Sequence, residues 1–229
     1  SEQVIADLIS LYDAEIAAND RSFGALVDGL RRRGLYDDTL IILLSDHGEE
    51  FYDHDGWTHG KTLFAEQLDI PLIIRYPRSR EGRRLPQIVQ HVDILPTVLE
   101  AVGLPEANDI QGIGLQRLLT VEGRDHWVDR GFSSLDLRGR TGTSVIDGRW
   151  KMIRFQSRGV GRLPMLFDKQ ADREEQSDLM ALAPDRAASL IALERRFEAG
   201  LPAAFVAPAI GAEADKEMHS ALKALGYVQ

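Results

Sequence analysis

The sequence contains no cysteine. Disulfides, thiolate metal sites and cysteine nucleophiles are therefore excluded, while the compartment is left open. No apolar run approaches the length of about 18 residues that marks a membrane-crossing helix, so no membrane span is expected. Positive charge is scarce. The 27 Lys and Arg stand against 36 Asp and Glu, a formal charge of -9. Binding to a phosphate backbone normally shows as a basic excess, so no nucleic-acid partner is expected. An early Met is also lacking: residue 1 is Ser, and the four Met lie at 152, 165, 180 and 218. The chain opens directly in a helical pattern, without a basic n-region or an apolar h-region. The expectation is that a segment was processed away or that this is part of a longer protein. What is present is ordinary for a globular chain. Its 229 residues are 44% apolar and 28% charged, enough for one large domain with a small appendage.

Apolar residues recur at Ile5, Ile9, Tyr12, Ile16, Phe23, Val27 and Leu30. Steps of three, four and seven describe one face of a long amphipathic helix. Gly34 follows Arg31, Arg32 and Arg33, a stop signal after cations suited to a helix C-terminus. The run Thr39 to Leu44 is β-branched and aliphatic throughout. It predicts a strand buried on both faces, as in a parallel sheet. Pro71 to Pro77 predicts a second strand, and Val92 to Val102 a helix closed by Gly103 and Pro105. Helix, strand, long loop, strand, helix is the alternation of an α/β fold. Beyond about residue 125 the pattern changes to short strands at Gly131–Leu135, Thr143–Asp147, Trp150–Phe155 and Pro164–Phe167, with Asp147-Gly148 as a tight turn. These predict a small antiparallel sheet. Two helices are expected to close the chain, Asp185 to Ala199 and Glu213 to Leu225, joined by an Ala/Pro linker over 203–212.

The segment Ser45 to Lys61 separates the two apolar strands and holds His47, His54 and His59 beside Asp46, Glu49, Glu50, Asp53 and Asp55. Loops this long inside an α/β unit are uncommon and usually functional. Ligands of such folds bind at the carboxyl ends of strands, where Asp46 and His47 stand. A carboxylate and an imidazole in adjacent positions can both reach a divalent cation when the chain turns sharply, and Gly48 permits the turn. On composition alone, a helix-capping Asp46 and solvated histidines account for the pair equally well.

The longer string carries more. A buried strand ending in Asp46-His47-Gly48, an acidic stretch with His54, then His59-Gly60-Lys61-Thr62-Leu63 and the strand Pro71-Leu72-Ile73-Ile74 resembles the sulfatase family of the alkaline-phosphatase-like superfamily. Tyr12-Asp13-Ala14-Glu15-Ile16 with Asp20, His91-Val92-Asp93-Ile94-Leu95-Pro96-Thr97, Trp150-Lys151, and Leu166-Phe167-Asp168 with Glu174 and Leu179 are similar to further family segments. So is the ending Leu222 to Val228.

The resemblance implies an α/β, alkaline-phosphatase-like sheet with flanking helices, followed by a small C-terminal antiparallel subdomain. Residues 1–124 would be the C-terminal part of the catalytic α/β domain, and residues 125–229 the small sheet and terminal helices. It implies hydrolysis of a small-molecule or glycan sulfate ester by a formylglycine hydrate, with a divalent cation holding the sulfate oxygens. Asp46 and His47 would be two of its ligands. Calcium is the family's usual ion. Many members have Asn where His47 stands, and imidazole admits manganese or zinc. His59, with Lys61 as a second candidate, would contact the sulfate or the leaving oxygen, and His54 and Trp57 would shape the pocket. His91 is expected to be a hydrogen-bonded structural residue, Asp93 a helix cap, and Arg75 a partner of a loop carboxylate.

One element is missing. The nucleophile motif needs Cys or Ser two residues before a proline, and none of the nine prolines has one. The family's paired N-terminal aspartates are absent too. The expectation is that this chain holds part of an active site and is inactive alone, its nucleophile lying in an N-terminal segment of the same enzyme. The alternatives are a phosphate or phosphonate ester hydrolase of the same superfamily, where an Asp-His pair occurs, and a non-catalytic remnant.

Overall fold

A computed structural model describes residues 2–105, 110–137, 140–157, 160–161 and 163–200. Two compact units are defined, Ser1–Glu194 and Arg195–Gln229. The expected 203–212 linker, the Glu213–Leu225 helix and the Leu222–Val228 ending lie outside the described residues.

The chain begins with helix α1 (Glu2–Arg32), which ends on Arg31 and Arg32. Gly34 then takes a φ of 68°, the left-handed conformation expected at a helix stop. Strand β1 (Ile41–Leu44) follows. Within the loop that leaves it, a two-residue hairpin forms between β2 (Glu50–Phe51) and β3 (Trp57–Thr58). Next come the short helix α2 (Ala65–Leu68), strand β4 (Leu72–Arg75) and helix α3 (Ile94–Ala101), which is entered through a 3-10 turn at His91–Asp93.

The Thr39 to Leu44 run departs from expectation in two ways. β1 pairs with β4 antiparallel, Ile42 opposite Ile74 and Leu44 opposite Leu72. It is also not buried on both faces: Leu43 and Leu44 are 38% and 37% exposed, and Ile73 is 60% exposed. An unbroken aliphatic run reports that both faces suit burial, but it contains no information on strand direction. Among the described residues β1 and β4 have only each other as ladder partners. α1 likewise has no buried residue.

Helix α4 (Val121–Asp125) leads into the C-terminal sheet. This consists of β5 (Arg130–Leu137), β6 (Arg140–Asp147), β7 (Trp150–Ser157), β8 (Val160–Gly161) and β9 (Met165–Asp168), all antiparallel. β7 is central: it pairs with β6 along its length, with β8 at Gln156 and Ser157, and with β9 from Trp150 to Ile153. Gly148, with a φ of 59°, makes the expected tight turn between β6 and β7.

Successive strand residues point to opposite faces, and the core divides accordingly. Met152 and Leu166 pack with Ala187 and Leu190 of helix α5 (Pro184–Gly200). Ile153, Phe155 and Phe167 pack with Leu63 and Phe64 from the end of the loop after β1. Met152, Ile153 and Leu166 are fully buried, and each such side chain contributes roughly 1.5–3 kcal/mol. The sheet thereby anchors the loop by its far end.

Candidate active site

The turn after β1 is built by local hydrogen bonds. Ser45 Oγ donates to the His47 carbonyl at 2.5 Å, and the His47 amide donates to Asp46 Oδ1 at 3.0 Å. His91 Nε2 lies 3.0 Å from the Ser45 carbonyl. Since a carbonyl only accepts, that nitrogen carries the hydrogen, and His91 holds the strand end from outside. Gly48 is required by close approach: a Cβ there would sit 1.9 Å from the Glu66 carbonyl oxygen. Its amide donates to the Gln67 carbonyl at 2.9 Å.

His47 Nδ1 lies 2.9 Å from the Gly48 carbonyl, which only accepts, so Nδ1 carries a hydrogen and Nε2 is the nitrogen left to face a ligand. Nε2 stands 3.6 Å from Asp46 Oδ2. These two donors fit a divalent cation. They are a partial set, because among the described residues no three His, Cys, Asp or Glu side chains gather to hold a metal.

The His59 ring stacks on His47 with centroids 4.2 Å apart. Its Nδ1 is 2.9 Å from Glu49 Oε2, while Glu49 Oε1 is buried with no hydrogen-bond partner among the described residues. The structure thus brings Asp46, His47, Glu49 and His59 together. Lys61 is exposed and turned to the Trp57 carbonyl, 3.0 Å away. Trp57 stands beside Tyr52, ring centroids 5.5 Å apart.

Glu50, one residue along, organises the loop from inside. It is 1% exposed and accepts from the amides of Gly56 (2.7 Å) and His54 (3.2 Å), from the Thr62 hydroxyl (3.2 Å) and from Gln67 Nε2 (3.2 Å). Gln67 Oε1 in turn accepts from the Gly60 amide at 2.9 Å. Four donors on one buried carboxylate satisfy it and set the curvature of the hairpin. That curvature is strained: Tyr52, Asp55 and Thr58 have φ of 76°, 62° and 67°. Left-handed backbone at a β-branched or bulky residue costs about 1–3 kcal/mol each and gathers at functional sites.

His54 is nearly buried, stacked on Phe64 at 3.6 Å. Nδ1 meets Glu66 Oε1 at 2.9 Å and Nε2 meets the Glu175 carbonyl at 3.0 Å. Burial pulls its pKa down, but the Glu175 carbonyl and the Glu66 carboxylate outweigh this and hold it above the usual value of 6.5. Glu66 is itself pushed up by burial, against the pull of His54. Behind them, the fully buried Glu175 carboxylate receives Lys151 Nζ at 2.8 and 2.9 Å, Lys169 Nζ at 3.0 Å and the Ala65 amide at 3.0 Å. Burial lowers the Lys151 pKa despite this partner.

Among the remaining expectations, Asp93 stands at the N-cap of α3 but makes no side-chain cap bond to it; it closes a capping box at the preceding 3-10 turn, accepting from the Gln90 amide, and also accepts from the Ile113 amide. Arg75 does pair with a carboxylate, but not one of the 45–61 loop. It reaches Asp37 at 3.2 Å and the Tyr36 carbonyl at 2.7 Å, its guanidinium lying over the Tyr36 ring. β4 runs antiparallel to β1, so Arg75 falls opposite Ile41, at the entry of β1. The family-like segment around Glu174 holds the buried acid one residue later: Glu174 is exposed and Glu175 buried. Glu50, Glu66 and Gln67 have no sequence signal beyond proximity to the histidines, and Glu175 none beyond its place beside Glu174, because their role rests on contacts made across the fold.

The sulfatase family model matches residues 2–104, the stretch carrying α1, β1, the loop, β4 and α3. Arylsulfatase K of Xenopus laevis is 28% identical over 196 residues, 81% of this chain and 36% of that protein. The chain is thus similar to the sulfatase family, over residues 2–104 by the family model. A second sulfatase, the N-acetylglucosamine-6-O-sulfatase of Bacteroides thetaiotaomicron, is 36% identical over 114 residues, 49% of this chain and 20% of that protein. In fold, the chain is similar to BT4656, solved in complex with its substrate D-glucosamine-2-N,6-O-disulfate, with a TM-score of 0.68 at 24% identity. That likeness covers 80% of this chain and 38% of that one. The architecture is therefore that of the alkaline-phosphatase-like sulfatases, with a C-terminal antiparallel sheet. The chain spans about a third of the length of the curated relatives it matches.

Proposed function

We propose that this chain is part of a metal-dependent sulfatase that hydrolyses sulfate esters of small molecules or glycans. The observation that carries this is the stacking of His59 on His47, 4.2 Å between centroids, directly after strand β1. It sets a candidate acid beside a candidate metal ligand. Asp46 and His47 would hold the divalent cation, calcium or, given the imidazole, manganese or zinc. When bound, that ion withdraws charge from the sulfate oxygens. His59, oriented through Nδ1 by Glu49, donates to the bridging oxygen as negative charge grows on it. Lys61 is the alternative donor. The nucleophile and the remaining ligands come from an N-terminal segment of the same enzyme, since no Cys or Ser here stands two residues before a proline. Support for a sugar ester comes from the N-acetylglucosamine-6-O-sulfatase relative.

The test is to assay the full-length enzyme on 4-nitrophenyl sulfate, a 6-sulfated glucosamine and 4-nitrophenyl phosphate, with metal content measured. Turnover of the sulfate esters, lost together with metal in Asp46→Ala, is expected. Faster turnover of the phosphate would assign the enzyme to phosphoryl transfer. Turnover by this chain without an upstream segment would remove the need for an outside nucleophile, and no turnover by the full-length protein would leave a non-catalytic remnant.

A further inference from the structure

We infer that His54 is a positioning residue: held as a cation between Glu66 and Glu175, it clamps the loop carrying Glu49 and His59 onto the C-terminal sheet, and loss of its proton opens the clamp.

The charge follows from the acceptors. The Glu175 carbonyl, 3.0 Å from Nε2, can only accept. An ionised Glu66 carboxylate, 2.9 Å from Nδ1, can also only accept. A ring that donates from both nitrogens is an imidazolium. Removing the proton would turn a nitrogen lone pair toward an oxygen lone pair. The site is poorly open to water that could relieve this, since the His54 and Glu66 side chains are 12% and 14% exposed and Phe64 lies flat on the ring at an interplanar angle of 2°.

Every element packed around the ring contributes to its charge state. Within the loop, Glu50 Oε1 accepts from the His54 amide at 3.2 Å, and Asp53 precedes it. α2 supplies Glu66. The segment after β9 supplies Glu175 and, 3.4 Å from Nε2, the side-chain nitrogen of Gln176, a donor that disfavours a proton there but at a longer distance than the accepting Glu175 carbonyl. Lys151, Lys169 and Asp69 stand behind Glu175 and act on the ring through it. Burial opposes the cation, while the Glu175 carbonyl and the Glu66 and Glu175 carboxylates favour it and prevail. Glu66 is itself raised by burial, against the pull of the cationic ring.

The clamp reaches the site by direct contact. The Glu66 carbonyl is the atom against which Gly48 packs. Its neighbour Gln67 accepts from the Gly48 amide at 2.9 Å and, through its side chain, from the Gly60 amide at 2.9 Å. A shift of Glu66 is therefore felt in the turn after His47 and in the residue after His59.

The catalytic consequence rests on the sulfatase activity proposed above; the titration does not. Both are measured on the full-length enzyme, in the wild type, His54→Gln and Glu66→Gln. Histidine labelled with 15N, with the His54 signals assigned by their loss in His54→Gln, should show both ring nitrogens protonated at neutral pH and a midpoint above 6.5. That midpoint should fall by roughly one pH unit in Glu66→Gln. Amide protection over 48–60 should drop across the same midpoint. A neutral, single-tautomer His54 at pH 6, or protection indifferent to its titration, overturns the clamp even in an enzyme with no sulfatase activity. In an active enzyme, the basic limb of kcat/KM should follow the His54 midpoint and move with it in Glu66→Gln. In His54→Gln, kcat should fall roughly tenfold or more, as expected when a supporting group is lost. Variants that lower only the melting temperature and leave the basic limb in place would reduce His54 to a structural role and overturn the positioning one.

Discussion

Gly48 has no room for a side chain. An alanine Cβ would meet the Glu66 carbonyl at 1.9 Å, and the offending atom is backbone, which cannot rotate aside. Gly48→Ala should destabilise the fold by about 1–3 kcal/mol, read as a lower midpoint in urea unfolding, and should cost activity by displacing the Asp46-His47 turn. The two neighbours of that turn should separate cleanly in function. Asp46→Ala in the full-length enzyme should lose metal along with turnover. His59→Ala should keep its metal and slow poor leaving groups by roughly 10²–10⁴, good ones much less. Equal slowing of all leaving groups would shift His59 to binding the sulfate oxygens. An effect confined to Lys61→Ala would move the role to Lys61, whose amine here turns to the Trp57 carbonyl.

The hairpin of β2 and β3 has only two residue pairs, far too few to persist by itself in water. It is held by Glu50 from inside and by Glu175 from behind. Glu50→Ala removes the acceptor of four donors, of which Thr62 and Gln67 are buried. Unsatisfied buried donors cost about 1–3 kcal/mol each, so the loop should lose amide protection while the C-terminal sheet keeps its own. Glu175→Gln is the harsher change. It leaves Lys151, 3% exposed, without its counter-charge. Breaking a buried pair from one side typically costs about 3–5 kcal/mol. The Glu175→Gln, Lys151→Met double variant should recover part of that loss, because an uncharged, well-packed pair avoids the desolvation penalty.

At the scale of the molecule, the apolar surface is unevenly distributed. Leu11, Ile16 and Leu26 of α1 and Ile73 of β4 are 65%, 52%, 58% and 60% exposed, while the C-terminal sheet has both faces covered. An exposed apolar helix face and a two-stranded ladder with open edges favour association. The isolated chain should sediment as more than a monomer; a monodisperse monomer with a sharp cooperative melt would contradict this. Stability should also depend on pH through His54. Its folded pKa lies above the unfolded value of 6.5, so its contribution is fully present below pH 6.5 and is lost as pH rises through the folded value. Across that window the melting temperature of the wild type should fall relative to that of His54→Gln. Lys151, with its pKa lowered by burial, acts in the opposite direction between its folded value and 10.5.

Local pattern determined a good deal. The i, i+3, i+4 apolar spacing placed α1, Gly34 and Gly148 placed a helix stop and a turn, and β-branched runs placed β1, β4 and most of the C-terminal sheet. These are properties of a few neighbouring residues, and the backbone answers to them directly. The Asp46, His47 and His59 candidates were legible for a related reason, since an acidic, histidine-rich loop after an aliphatic strand is conspicuous in any context. The antiparallel pairing of β1 with β4 was not legible, because an aliphatic run is the same read in either direction. Nor was Arg75's choice of Asp37, which depends on that pairing. Burial of Glu175 rather than Glu174, and the closure of His54 between Glu66 and the Glu175 carbonyl, join residues 121 positions apart. The packing of Leu63 and Phe64 on Ile153, Phe155 and Phe167 helps bring them together. A buried charge is defined by what surrounds it, and its surroundings are set by the tertiary fold.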